Sequence, residues 1–167
     1  MRKIIAINGS TRSSSSNGLL LSTLGQMFDQ SNFFVFESIS LLPHFNPDLD
    51  IPKVVLDFKR RVNLADYLLI VTPEYAHGVP GVLKNALDWL VSDENLPGKE
   101  VIVMVCSAGE GDYAMSALVE ILKTMSLNVD PEKCVQVSSI RSKFKDGELI
   151  DANLQSKLTK LVDNLKS

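Results

Sequence analysis

Cysteine is nearly absent from this chain: Cys106 and Cys134 are the two among 167 residues. Each sits in an apolar, strand-like run far from any metal-ligand spacing, so both read as buried core thiols rather than redox or metal-binding groups. Long hydrophobic runs are missing too. No stretch approaches membrane-spanning length, and Ile4 to Ile7, ahead of Asn8-Gly9, is too brief for a signal peptide; the expectation is a cytoplasmic chain that does not insert into a membrane. There is no surplus of positive charge. The formal net charge is −3, and the densest basic cluster, Lys59-Arg60-Arg61, falls in a helical pattern with Val55, Phe58 and Val62, where it reads as a solvated helix face. A nucleic-acid binder would carry a basic excess or stripe, so that class is set aside. The chain holds no G-x-G-x-x-G, no Gly-Lys-Ser/Thr at P-loop spacing, no metal-ligand constellation and no catalytic triad or carboxylate pair. It has no internal repeat and no linker long enough to divide it.

What is present is an ordinary globular composition, 45% hydrophobic and 22% charged, with enough length in residues 1–167 for one domain with a sizeable core. Strand and helix patterns alternate from end to end. Apolar runs place strands at 3–8, 33–38, 66–72, 100–107 and 133–140, and helical spacing places helices at 17–29, 52–64, 81–91, 112–126 and 151–165. Leu68-Leu69-Ile70-Val71 and Val101-Ile102-Val103-Met104-Val105 are continuously apolar, as strands covered on both faces should be. Five βα units of this size predict an α/β fold, a doubly wound five-stranded parallel sheet with the flavodoxin-like strand order 2-1-3-4-5. In such sheets ligands bind beyond the carboxyl ends of the strands where the winding reverses. The unusual loops of this chain follow the three strands that this order makes neighbours.

The first loop, Gly9-Ser10-Thr11-Arg12-Ser13-Ser14-Ser15-Ser16-Asn17, joins a strand to a helix. It is rich in hydroxyls and opens a helix whose unpaired N–H groups and positive dipole end suit an anion. Arg12 adds a permanent charge and a fork of donors matched to phosphate oxygens. Taken alone, the run is also compatible with a flexible loop in which Asn17 or Ser16 is an ordinary N-cap. The second, Pro73-Glu74-Tyr75-Ala76-His77-Gly78-Val79-Pro80-Gly81, has two prolines and two glycines that fix an irregular path. Its amides can face a planar ligand and Tyr75 can shield one side of a ring system; a rigid turn with a packed tyrosine is the plainer alternative. The third, Ser107-Ala108-Gly109-Glu110-Gly111-Asp112-Tyr113, permits close backbone approach.

Gly9-Ser10-x-Arg12 with Ser16-Asn17, then Pro73-Glu74-Tyr75 and Pro80-Gly81-x-Leu83-Lys84-Asn85-x-x-Asp88-Trp89, resemble the NADPH-dependent FMN reductase family of quinone, azo-dye and chromate reductases. The resemblance covers nearly the whole chain. It implies FMN as cofactor, its phosphate contacted by Ser10, Arg12, Ser16 and Asn17. The isoalloxazine would lie against Pro73, Glu74, Tyr75, Ala76, His77 and Gly78, with Ser107, Gly109, Glu110 and Gly111 closing the other side. NADPH or NADH would be the cosubstrate, and hydride would pass through FMN to a small acceptor (a quinone, an azo compound, free flavin or a metal oxyanion) by ping-pong turnover. The flavin would carry the chemistry, so no side chain is expected to be obligatory, although His77 could donate a hydrogen bond to a reducible carbonyl or to the flavin. Backbone amides of the second loop would stabilise negative charge on the reduced flavin. The sequence departs from the family where Ala76-His77-Gly78 replaces a common Asn and Ser, and where Glu110 and Asp112 charge the third loop. A flavodoxin-like electron carrier without its own substrate is the alternative, disfavoured by Arg12 and by the mild net charge. In helix 81–91, Leu83, Leu87 and Leu90 form one apolar face, and Val82, Ala86 and Trp89 a second. That second face calls for a partner, so a homodimer or homotetramer joined partly through this helix is expected; the alternative is that the C-terminal segment or the 39–52 connection covers Trp89 within one chain.

Overall fold

Strand residues in this chain alternate between two apolar faces, and each face has its own helices. The computed structural model describes residues 2–12 and 15–166. Its main sheet is built from β1 (Ile4–Asn8), β2 (Phe33–Phe36), β3 (Tyr67–Thr72), β4 (Glu100–Cys106) and β5 (Asn128–Val137), all parallel, in the order β2-β1-β3-β4-β5. The helices are α1 (Ser16–Met27), α2 (Lys53–Leu64), α3 (Gly81–Leu90), α4 (Asp112–Thr124) and α5 (Ala152–Lys166). One layer of core joins Ile5, Ile7, Leu68, Ile70, Val101, Val103 and Val105 to the apolar sides of α2, α3 and α4. The other joins Ile4, Ala6, Leu69, Val71, Ile102 and Met104 to those of α1 and α5. The period-two alternation of each strand thus feeds two cores, the physical content of a doubly wound sheet. β3 is buried along its whole length.

The expected elements are all found, with shifts that have local causes. β2 ends at Phe36 because Glu37–Leu41 turn into a 3-10 helix. β5 begins at Asn128 rather than 133, and its register against β4 slips between Val101 and Val103. Pro131 lies inside it, which only an edge strand with a bulge accommodates easily. β5 stops at Val137 rather than 140 because Ser139 adopts a left-handed conformation (φ 49°) and starts a 3-10 turn, Ile140–Lys143. A hairpin follows, β6 (Phe144–Lys145) with β7 (Glu148–Leu149), turning at Asp146 and Gly147 with φ of 51° and 86°. Asp151 caps α5 as expected, its Oδ1 accepting the Leu154 N–H at 2.8 Å.

One expectation is overturned. The second apolar face of α3 is not left open, since Trp89 is 3% exposed and Ala86 is fully buried. The connection between β2 and α2 folds over them. Trp89 Nε1 donates to the Pro43 carbonyl at 2.8 Å, and the Phe45 ring meets the indole edge-on at 5.1 Å between centroids. Asn85 ties the strap from both sides, accepting the Phe45 N–H (2.8 Å) on Oδ1 and donating from Nδ2 to Pro43 O (2.9 Å). A segment of the same chain supplies the partner that the two-faced helix required.

Candidate functional site

The first loop leaves β1 with Gly9 pressed against β3. A Cβ on Gly9 would stand 2.4 Å from Thr72 Oγ1, so only glycine lets the first two loops lie this close. Asn8 Oδ1 accepts the Ser10 N–H (3.0 Å) and Ser10 Oγ accepts the Arg12 N–H (3.3 Å), a chain of side-chain turns that sets the loop's path. Ser13 and Ser14 lie outside the described residues. Ser15, rather than Ser16 or Asn17, is the N-cap of α1, its Oγ accepting the Gly18 N–H at 3.1 Å. Asn17 is therefore free of capping. It is 3% exposed, and its Nδ2 meets no acceptor among the described residues. A buried amide donor left unpaired costs about 1–3 kcal/mol, and this one is free to meet an acceptor from outside the chain.

The second loop is a tight turn. Tyr75 and Gly78 exchange both backbone hydrogen bonds at 3.0 Å across Ala76 and His77, which have φ of 48° and 56°. Glu74 points away from solvent, and its Oε2 accepts the Ala114 N–H at 2.9 Å. Helix α4 has Gly111 as its N-cap and no side-chain cap of its own, so Glu74 satisfies one of its orphan donors and complements its positive dipole end. His77 Nδ1 lies 3.9 Å from Glu74 Oε1, and its ring meets Tyr113 at 4.4 Å and 75°. Tyr75 and Tyr113 are 49% and 60% exposed, leaving an aromatic rim open to a planar reactant.

The third loop is held by Ser107. Its Oγ accepts the Gly109 N–H (3.1 Å), its N–H donates to Val137 O (3.0 Å), and its carbonyl accepts the Ile140 N–H (3.1 Å). Gly111 (φ 86°) approaches β4 so closely that a Cβ would lie 2.9 Å from Val105 Cγ1. Cys106 at the end of β4 is 1% exposed, and burial pushes its thiol up to about 12. It is not a thiolate at neutral pH, in keeping with a core thiol.

These loops meet around a cavity of about 120 Å³. Of the residues expected there, Arg12, Ser16 and Asn17 line it from the first loop, Pro73, Glu74 and Tyr75 from the second, and Ser107 from the third. Ser10 does not; it lines a neighbouring cavity of about 500 Å³ between the first loop and β2, which Arg12 also borders. Ala76, His77 and Gly78 form the turn beside the cavity, and Gly109, Glu110 and Gly111 shape the loop without lining it. Ser15 and Ala108 also line it, from within the first and third loops, and three lining residues had no sequence signal: Cys106, Ile140 and Arg141. The last two arrive from beyond β5, through the Ser107–Ile140 hydrogen bond.

An unpaired buried amide, serine hydroxyls and a guanidinium at the open start of a helix fit a phosphate, and the exposed tyrosines fit a flat ring system beside it. The residues present thus suit FMN, and fold and site together define a flavin-binding protein of the flavodoxin-like type. Residues 2–141 match the sequence pattern of the NADPH-dependent FMN reductases. The chain is 31% identical to a quinone reductase of Escherichia coli, over 94% of this chain and 89% of that one. It is 33% identical to an NAD(P)H-dependent FMN reductase of Pseudomonas aeruginosa, over 89% and 85%. Among solved structures it superposes on FerB, a flavoenzyme NAD(P)H:acceptor oxidoreductase of Paracoccus denitrificans, with TM-score 0.82 and 29% identity, covering 98% of this chain and 94% of that one. The chain belongs to the NADPH-dependent FMN reductase family, and is an oxidoreductase that uses FMN and a reduced nicotinamide.

Proposed function

We propose that this single-domain protein reduces quinone-type acceptors and similar small oxidants in the cytoplasm, with donor and acceptor using one pocket in turn. FMN, when bound there, would supply the redox chemistry, hydride uptake from the nicotinamide and release of reducing equivalents to the acceptor. Arg12, Ser16 and Asn17 hold the phosphate end and thereby set where the ring lies. Pro73, Glu74 and Tyr75 form one wall, and Ser107 and Ala108 form the other. Tyr75 lines the cavity and the His77–Tyr113 ring pair stands exposed nearby, the side on which a planar donor or acceptor would stack. His77 is 74% exposed in its side chain and orients entering reactants by hydrogen bonding instead of serving as an obligatory acid.

The observation that carries this reading is the convergence of three chain-distant loops on a cavity with an unpaired buried amide and an exposed tyrosine, Tyr75, in its lining. Donor and acceptor taking turns in one pocket predicts ping-pong turnover. Initial rates with NADPH or NADH at several fixed benzoquinone concentrations should give parallel double-reciprocal lines. Intersecting lines would mean that both reactants bind together and would contradict the shared pocket. The same assay with an azo dye, chromate, a ferric salt and free FMN ranks the acceptors.

Self-association into a homodimer or homotetramer belongs to the same proposal, on a surface other than the one expected from α3. The strap that covers Trp89 exposes Leu41 (70%), Phe45 (40%), Leu49 (62%) and Ile51 (45%), apolar area that a second copy would cover. Light scattering at micromolar concentration should give at least twice the 18.4 kDa chain mass; a monomer would end this part of the proposal and leave the flavin site standing.

A further inference from the structure

The chain has five arginines, and three are occupied. Arg2 donates to the Tyr67 hydroxyl at 2.5 Å, and Arg60 and Arg61 both bind Asp57, at 2.8 and 2.7 Å. The guanidinium groups of Arg12 and Arg141 have no partner among the described residues; both residues are exposed, and both are among the residues that line the same 120 Å³ cavity. They come from opposite ends of the fold, one from the loop after β1 and the other from the 3-10 turn after β5. Arg141 sits on a firm base. Ile140 beside it is 4% exposed and bonded to Ser107, Ser142 bonds back to Ser139 at 3.0 Å, and Lys143 is locked to Asp151 at 2.7 Å. The one carboxylate lining the cavity, that of Glu74, is taken up by the Ala114 N–H, and α1 has no acidic residue in its first turn.

The geometry points to Arg141 as a second phosphate-binding arginine, closing with Arg12 on the terminal phosphate of FMN above the start of α1. This rests on the FMN reading of the site. A phosphate monoester carries nearly two negative charges at neutral pH. Arg12 matches one, with the α1 dipole and the unpaired Asn17 amide assisting, and Arg141 matches the other. Anchored outside the first loop, it also fastens the cofactor to the β5 edge of the sheet. The selectivity that results is for a phosphorylated flavin over riboflavin.

The test is a titration of apoprotein with FMN and with riboflavin, followed by flavin fluorescence, for the unmodified chain and for Arg12→Ala, Arg141→Ala and Arg141→Lys. Arg141→Ala should weaken FMN binding about tenfold, the scale of a charge-assisted hydrogen bond, while riboflavin affinity changes less than about twofold. Arg141→Lys should restore part of the loss, because the charge returns without the fork. The proposal is overturned if Arg141→Ala leaves FMN affinity unchanged while Arg12→Ala lowers it, and equally if only the preference for NADPH over NADH changes. Failure of the unmodified chain to bind FMN would instead bring down the cofactor reading itself.

Discussion

Ala76 and His77 are two consecutive non-glycine residues in the left-handed region, at a cost of roughly 1–2 kcal/mol each. That strain gives the Tyr75–Gly78 turn its shape and keeps Tyr75 and His77 at the rim. Ala76→Gly removes the steric cost at one position and gives back some of it as unfolded-chain entropy, so a net stabilisation of about 0.5–1 kcal/mol is expected. Urea unfolding measures this, and a loss of stability would mean that the turn is not strained as described. Arg12 and Asn17 were legible in the sequence because their chemistry is specific to anions and they sit where a helix opens. Arg141 was not. Its arrival depends on a hydrogen bond between Ser107 and Ile140, and no local pattern announces a contact between residues so far apart. At Arg12 the expected effect is larger than at Arg141, since it faces both cavities. Arg12→Ala should weaken FMN binding by about 1.5–3 kcal/mol in the same titration; unchanged affinity would remove the first loop from the phosphate site.

Helix α3 and the strap over it form one unit. The two apolar faces of α3 were read correctly from spacing, but spacing cannot say whether a second copy or the same chain covers the second face. The answer lies in Asn85, whose amide engages both Pro43 and Phe45. Trp89→Phe keeps the contact with Phe45 and loses the indole N–H, so it should cost about 1–2 kcal/mol in urea unfolding. Trp89→Ala also opens a cavity and should cost about 3–5 kcal/mol. A cost below 0.5 kcal/mol for both would show that the strap is not seated on α3. The first part of β5 was missed for a different reason. Pro131 breaks the strand pattern, and only the edge position of β5, with its register slip, makes a proline tolerable there. The hairpin β6–β7 is too short for periodicity to detect.

At the scale of the molecule, the strand order was legible because each inner strand is apolar on both faces and each helix on one, which leaves few ways to wind five βα units. The edge opposite the site has its own electrostatic tie. Lys133 Nζ binds Glu100 at 2.7 Å and lies 5.4 Å from the centroid of the Tyr67 ring. The hydrogen bond from Lys133 holds the Glu100 carboxyl below its ordinary range against the opposing effect of burial, and the bond to Glu100 raises the Lys133 ammonium. Because the folded-state value of Glu100 is depressed, its contribution is complete above the ordinary carboxylate pKa and drains away as pH falls through the folded value. Lys133 is raised, so its contribution is complete below the ordinary lysine pKa and is lost as pH rises through the folded value. Lys133→Met should therefore lower stability by about 1 kcal/mol or less near neutrality, and should flatten both the acid and the alkaline limbs of the urea midpoint plotted against pH. Limbs that match those of the unmodified protein would show that the pair contributes nothing.

The central claim is that a flavin held by three loops relays electrons from a nicotinamide to an acceptor, and an anaerobic titration of the FMN-loaded protein tests it most directly. One equivalent of NADPH or NADH should bleach the visible flavin absorbance without any added reductase, and a following equivalent of benzoquinone should restore it. If neither nicotinamide bleaches the flavin, the protein does not accept hydride from either donor and the account is contradicted.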